Sequence, residues 1–124
     1  MKKLVLILFS FISLFAFNSE MELFENLFGA MFKKQTIKVY TKKYKNLGGR
    51  LQVVHSCKKA DIVLGDLECK NKPRFVLDYD EFKSYVDAIG GFYWRKGRPQ
   101  LRLRKDKLEK YHLYISKEFE EYLN

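Results

Sequence analysis

The chain is poor in the residues that interrupt, cross-link or metallate small proteins: two prolines, seven glycines, two cysteines and two histidines in 124 residues. So little proline and glycine excludes a collagen-like or low-complexity chain, and a hydrophobic fraction of 47% excludes a disordered one. At this length there is room for one ordinary domain. Cys57 and Cys69 enclose 11 residues, so they form neither a C-x-x-C redox motif nor a zinc ribbon, and His55 beside Cys57 brings the local donors to two where zinc needs about four. There is no P-loop, G-x-S-x-G or H-E-x-x-H pattern, and hence no cofactor or metal to expect from motifs. Apolar runs are short as well: none reaches the roughly 20 residues of a membrane-crossing helix.

The longest apolar run does carry information. Met1-Lys2-Lys3 precedes Leu4–Phe17, in which Ser10 and Ser13 are the only polar residues. A basic start followed by an apolar run of this length is the plan of a secretory signal peptide over residues 1–18. Phe17-Asn18-Ser19 offers no clean small-residue cleavage site, so an uncleaved anchor is the second reading. Either one places the remainder outside the cytoplasmic membrane, periplasmic or otherwise exported. In an oxidising compartment Cys57 and Cys69 can form a disulfide. Two buried thiols are the alternative, because ADIVLGD between them reads as an extended strand that would carry its ends apart.

Residues 19–35 hold an amphipathic lead-in helix and a linker, with Leu23, Phe24, Leu27, Phe28 and Met31 on one stripe that either docks on the domain or lies on a bilayer. The domain itself spans 36–124. TIKVYT and RLQVVH read as strands flanking a helical or turn segment at 42–47, ADIVLGD as a strand covered on both faces, and RFVLD after Pro73 as another strand, with apolar Phe75, Val76 and Leu77. DEFKSYVDAI reads as a helix with Phe82, Tyr85, Val86 and Ile89 on one stripe, capped by Asp78 or Asp80. After Gly90-Gly91, GFYWRKGRPQLRLRK reads as a hairpin turning at Lys96-Gly97. Asp106 with Glu109, and then Ser116, mark two short closing helices. The order predicts an α/β fold with a small mixed, partly parallel sheet flanked by short helices.

The stretch 75–123 resembles the C-terminal half of the YfiR-like family of small periplasmic proteins. Asp80, Phe82, Gly90, Gly91, Leu101, Leu103, Leu108, Leu113, Ile115 and Ser116 carry the resemblance, along with Cys57 ahead of ADIVLG. It implies a periplasmic regulator that inhibits a membrane-bound diguanylate cyclase by binding its outer domain. The chain departs from the family in its middle, which is shorter, and in lacking an aromatic N-terminal helix that ends in Trp-Pro.

Charge is the remaining functional signal. Lys and Arg number 24 against 15 Asp and Glu, for +9, and without residues 1–18 the count is 22 against 15, for +7. Residues 33–59 contain nine basic residues and no acidic one, and residues 92–110 contain eight against Asp106 and Glu109. Basic residues interleaved with Phe92, Tyr93 and Trp94 would suit a nucleic-acid groove, but export argues against that partner. The expected partner is an envelope or inner-membrane protein with an acidic surface, bound by Trp94, Arg95, Arg98, Arg102 and Arg104, which are residue types common at interface hot spots. The alternatives are a solubilising face, and a polyanion, small anion or anionic membrane surface. Enzymatic function rests only on thiol chemistry at Cys57 with His55, and on Asp66 and Asp78 at strand ends.

Overall fold

The computed structural model describes residues 20–124, so the leader read at 1–18 lies outside the described residues. Six strands form one mixed sheet: β1 (Ile37–Tyr40), β2 (Leu51–Val54), β3 (Ile62–Leu64), β4 (Arg74–Val76), β5 (Gly90–Arg95) and β6 (Arg98–Leu103), in the order β2-β1-β3-β4-β5-β6. The first five are parallel and β6 is antiparallel to β5, which is the partly parallel α/β sheet that the sequence predicts. Helices α1 (Glu20–Phe32), α2 (Tyr79–Ser84) and α3 (Lys105–Lys110) and two 3-10 segments, Cys57–Lys59 and Lys117–Tyr122, complete the fold. Among the described residues no helix is long and apolar enough to cross a membrane.

The main core lies on one face of the sheet. Helix α1 sets Leu23, Phe24, Leu27, Phe28 and Met31 against Ile37, Val39, Ile62, Phe75 and Ile89. Phe24 and Phe28 stack at 5.6 Å and meet the Phe75 ring edge-on at 5.9 and 5.4 Å. The lead-in helix is therefore built into the domain, and of its two readings docking is the one observed. Its four-residue link to β1 makes it run back along the sheet, so Glu20 sits at the end where the parallel strands finish, with Tyr44 donating a hydrogen bond to it.

Handedness decides which connections cover the other face. Right-handed crossovers put β1→β2 on the α1 side, where Tyr44 and Leu47 join the core, and send the later crossovers, which move the opposite way along the sheet, over the second face. There the apolar cluster is small: Val76, Phe82, Ala88 and Tyr93. The β2→β3 and β3→β4 crossovers carry no α-helix and run side by side, tied by a Cys57–Cys69 disulfide with a Cα separation of 5.3 Å. Of the two readings of these cysteines the disulfide is the one present. The strand between them has only three residues, and Gly65, at φ +109°, turns the chain back so that Cys69 returns beside Cys57.

Several local expectations change. Residues 42–47 form an irregular loop, since the chain must cross from the end of β1 to the start of β2 over the aromatic cluster of α1. Helix α2 stops at Ser84, not at Ile89, because Ile89 N–H already donates to Arg74 O on the way into β5. The expected stripe is thereby divided: Phe82 is buried on the second face, Ile89 on the first, and Val86 is exposed. Asp78 and Ser116 occupy N-cap positions without a side-chain cap bond, and Asp106 falls inside α3, which starts after Arg104. Gly90 and Gly91 have a packing reason beyond stopping a helix. A Cβ on Gly90 would lie 2.4 Å from Arg102 O, and one on Gly91 2.9 Å from Val76 Cγ2.

Candidate functional site

The hairpin alternates as a two-residue turn requires. Arg95 pairs with Arg98 across Lys96-Gly97, whose φ values of +55° and +75° match the primed turns that suit strand twist. Gly90, Phe92, Leu101 and Leu103 therefore face the α1 core, and Trp94 shares their side. Gly91, Tyr93 and Arg95 face the other way with Arg98, Gln100 and Arg102. Gly91 is level with Val76, the last residue of β4. The four residues Phe92–Arg95 thus carry the hairpin beyond β4 by roughly 13 Å at 3.3 Å per residue.

On the second face the cations lie against rings. The Arg95 guanidinium stacks 3.9 Å from the Tyr79 ring centroid, Lys83 lies 5.2 Å from that same ring, and Arg102 sits 5.8 Å from Phe82. Tyr93 lies between the two rings, 5.5 Å from Tyr79 and 5.9 Å from Phe82. Ion pairs join Lys34 to Asp61, Arg50 to Glu25, and Lys107 to Asp87 and Asp106. Arg95, Arg98 and Arg102 are exposed. With its amide oriented to satisfy both ends, Asn124 accepts from Arg102 Nε at 2.9 Å and Nη2 at 2.8 Å, which anchors the C-terminus to β6.

The five residues expected at the interface therefore separate. Arg95, Arg98 and Arg102 form one exposed face, while Trp94, 60% exposed, points to the opposite side. Arg104 turns inward. Its Nη1 donates to Tyr85 O at 2.7 Å and Ala88 O at 3.1 Å, its Nη2 donates to Phe82 O at 2.7 Å, and it stacks on Phe82 at 3.9 Å. It closes the carbonyl end of α2, where a cation is favoured by the helix dipole and the orphan carbonyls. Burial lowers its pKa from the ordinary arginine value. The sequence pattern did not distinguish Arg104 from Arg102, since both alternate with leucines.

Arg74, which the apolar pattern of RFVLD concealed, is 8% exposed. It donates through Nη1 to Gly65 O and through Nη2 to Leu67 O, and stacks on Tyr85 at 4.2 Å, so one guanidinium holds the β3→β4 crossover against α2.

A second feature lies where the strand order reverses. A crevice of about 350 Å³ opens at the carboxyl ends of β1, β3 and β4, lined by Lys42, Lys43, Gly65, Asp66, Asp78 and Glu81 with Leu64, Leu67 and Leu77. Open α/β sheets place ligand sites at such points. Asp66 and Asp78 do meet there, as their strand-end positions suggest. Asp66 accepts from the Tyr85 hydroxyl, and that bond is the main cause of the raised Tyr85 pKa. Among the described residues no group of three His, Cys, Asp or Glu could hold a metal ion. Cys57 is tied to Cys69 and presents no thiolate, and His55 is exposed.

Glu81 is the member of this crevice under electrostatic stress. Its Oε1 is buried without a hydrogen-bond partner. Burial raises its pKa most, a backbone hydrogen bond at Leu77 lowers it, and Asp78 and Asp66 raise it further, with Lys43 acting the other way. A carboxyl with a raised folded-state pKa costs no stability below its unfolded value of about 4.3 and lowers stability as pH climbs through the interval up to its folded value. Glu81→Gln should therefore melt above the wild type at pH 7 and together with it near pH 3. Equal melting temperatures at both pH values would show that the carboxylate is fully solvated.

Comparison of the chain with protein-family models, with curated proteins and with solved structures finds no match.

Proposed function

We propose that this chain is an exported, non-catalytic binding domain whose arginine face docks on an acidic surface of an envelope or inner-membrane protein, regulating or scaffolding that protein's assembly. The observation that carries this reading is the arrangement of Arg95, Arg98 and Arg102 on one face of a projecting hairpin, exposed and alongside Tyr79 and Tyr93. Arginines held by ring stacking lose less side-chain freedom on binding and present planar forks suited to carboxylates. The resemblance of 75–123 to YfiR-like proteins supports a specific partner, the outer domain of a membrane-bound diguanylate cyclase.

The test is a crosslinked pull-down from envelope with the wild type and with Arg95→Glu/Arg98→Glu. These two positions are preferred over Arg102, whose contact with Asn124 would mix folding with binding. Close charge pairs across an interface contribute roughly 1.5 kcal/mol or more each, so the double reversal should weaken the partner at least about 100-fold. Recovery of no partner, or of one whose affinity survives the reversal, would overturn the reading. A ligand captured without sequence or shape preference, and released steeply by salt, would reassign the face to polyanions.

A further inference from the structure

We infer that the domain also rests on an anionic lipid surface through the tip of its hairpin, with Trp94 at headgroup depth and Lys96 against the lipid phosphates. The inference adds to the proposed function the place where binding happens, and it rests on different side chains from the arginine face.

Three observations converge on the tip. Trp94 is the single tryptophan of the chain and is 60% exposed, on the side of the hairpin opposite Arg95 and Arg98. An indole left 60% exposed at the end of a projection keeps most of its apolar body in water, whereas at a bilayer interface that body and its N–H are both satisfied. The turn beside Trp94 carries Lys96, and no acidic residue occurs between 92 and 105. Finally, the tip projects past the end of the sheet at which Glu20 lies, and the apolar run 4–17 leads into the helix at that residue. Exposed Met21 stands at this same end.

Asp78, Asp80 and Glu81 at the start of α2 and Glu20 and Glu22 at the start of α1 also lie near this end. Tyr79 meets Tyr93 and Arg95 on the face opposite Trp94, so the acidic residues of α2 stand across the hairpin from the indole, and Lys96 occupies the turn itself. Acidic protein surface could attract Lys96 equally well, but it would not require the exposed indole to stand apart from the arginines.

Because Trp94 is the only tryptophan, its fluorescence reports on the tip alone. The full chain would be floated with vesicles of phosphatidylcholine, with and without a quarter phosphatidylglycerol, some carrying brominated acyl chains. On anionic vesicles the Trp94 emission should shift to the blue and be quenched by the brominated lipid, and on neutral vesicles much less. Lys96→Glu changes two charges, at about 5-fold per charge, and should move the lipid dependence of that signal by roughly 30-fold. If the chain floats through its leader while Trp94 keeps its water-exposed spectrum, the inference falls. Failure to float, or equal shifts on both vesicle types, overturns it too, and a shift caused only by an acidic protein partner assigns the tip to that partner. The pull-down with Arg95→Glu/Arg98→Glu is read separately, so either proposal can fail alone.

Discussion

Removing the Cys57–Cys69 disulfide, by reduction or by replacing both residues with serine, should lower the unfolding free energy by about 3 kcal/mol. A closed loop of this size gives that magnitude in the chain-entropy model. The structure gives reasons for the full effect. The two crossovers joined by the bond have no α-helix to bury, and the apolar cluster on the second face is small, with Val76, Phe82, Ala88 and Tyr93 and the partly buried Tyr79 and Tyr85. Polar contacts also hold these loops: Lys72 Nζ donates to Ala60 O at 2.7 Å, and Arg74 donates to Gly65 O and Leu67 O. Such bonds contribute about 1 kcal/mol each and exchange with water once the loops separate. Urea titration with and without reductant measures the difference. A loss below about 1 kcal/mol would mean that the loops stay together without the bond. The expected loss also bears on where the protein works, since an oxidising compartment would preserve the bond and a reducing one would remove it.

The largest effect of a single substitution is expected at Phe75. It occupies the middle of β4, a strand buried on both faces, and its ring is the platform on which Phe24 and Phe28 dock edge-on. Phe75→Ala should cost roughly 3–5 kcal/mol, because the cavity would sit between a rigid sheet and a helix with few means to collapse together. Small domains have only about 5–15 kcal/mol in total, so the variant should be close to unfolding at physiological temperature. Chemical denaturation of Phe75→Ala beside Phe75→Leu would check this. A drop for alanine below about 1.5 kcal/mol would show that α1 packs on β4 more loosely than the ring geometry implies.

The sequence carried the sheet well and the hairpin almost completely. The continuous apolar run Ile62–Leu64 announced a buried parallel strand and RFVLD a further strand, and Lys96-Gly97 between alternating segments announced the turn. Where it misled, a tertiary requirement had overridden a local pattern. The periodicity of DEFKSYVDAI continues past Ser84, but the chain has five residues in which to reach β5 and spends them turning. Arg74 in an apolar strand looked incidental, yet it is the clasp of a crossover that lacks a helix. The disulfide was open because strand length was open, and three residues followed by a left-handed glycine closed the question.

The candidate surface divides in the same manner. By composition and alternation alone, the chain determined that a basic, aromatic hairpin would present one wet face, that nine basic residues would be free of acidic neighbours along 33–59, and that one tryptophan would sit beside the turn. Side-chain alternation is a property of the strand itself, so it is legible locally. Only the tertiary structure decided that Arg104 serves α2 while Arg95, Arg98 and Arg102 face solvent, and that Trp94 stands on the other side at the end where α1 begins. Those outcomes depend on which helix packs against which strand and on where β4 ends, and such long-range relations have no fixed spacing along the chain from which they could be read.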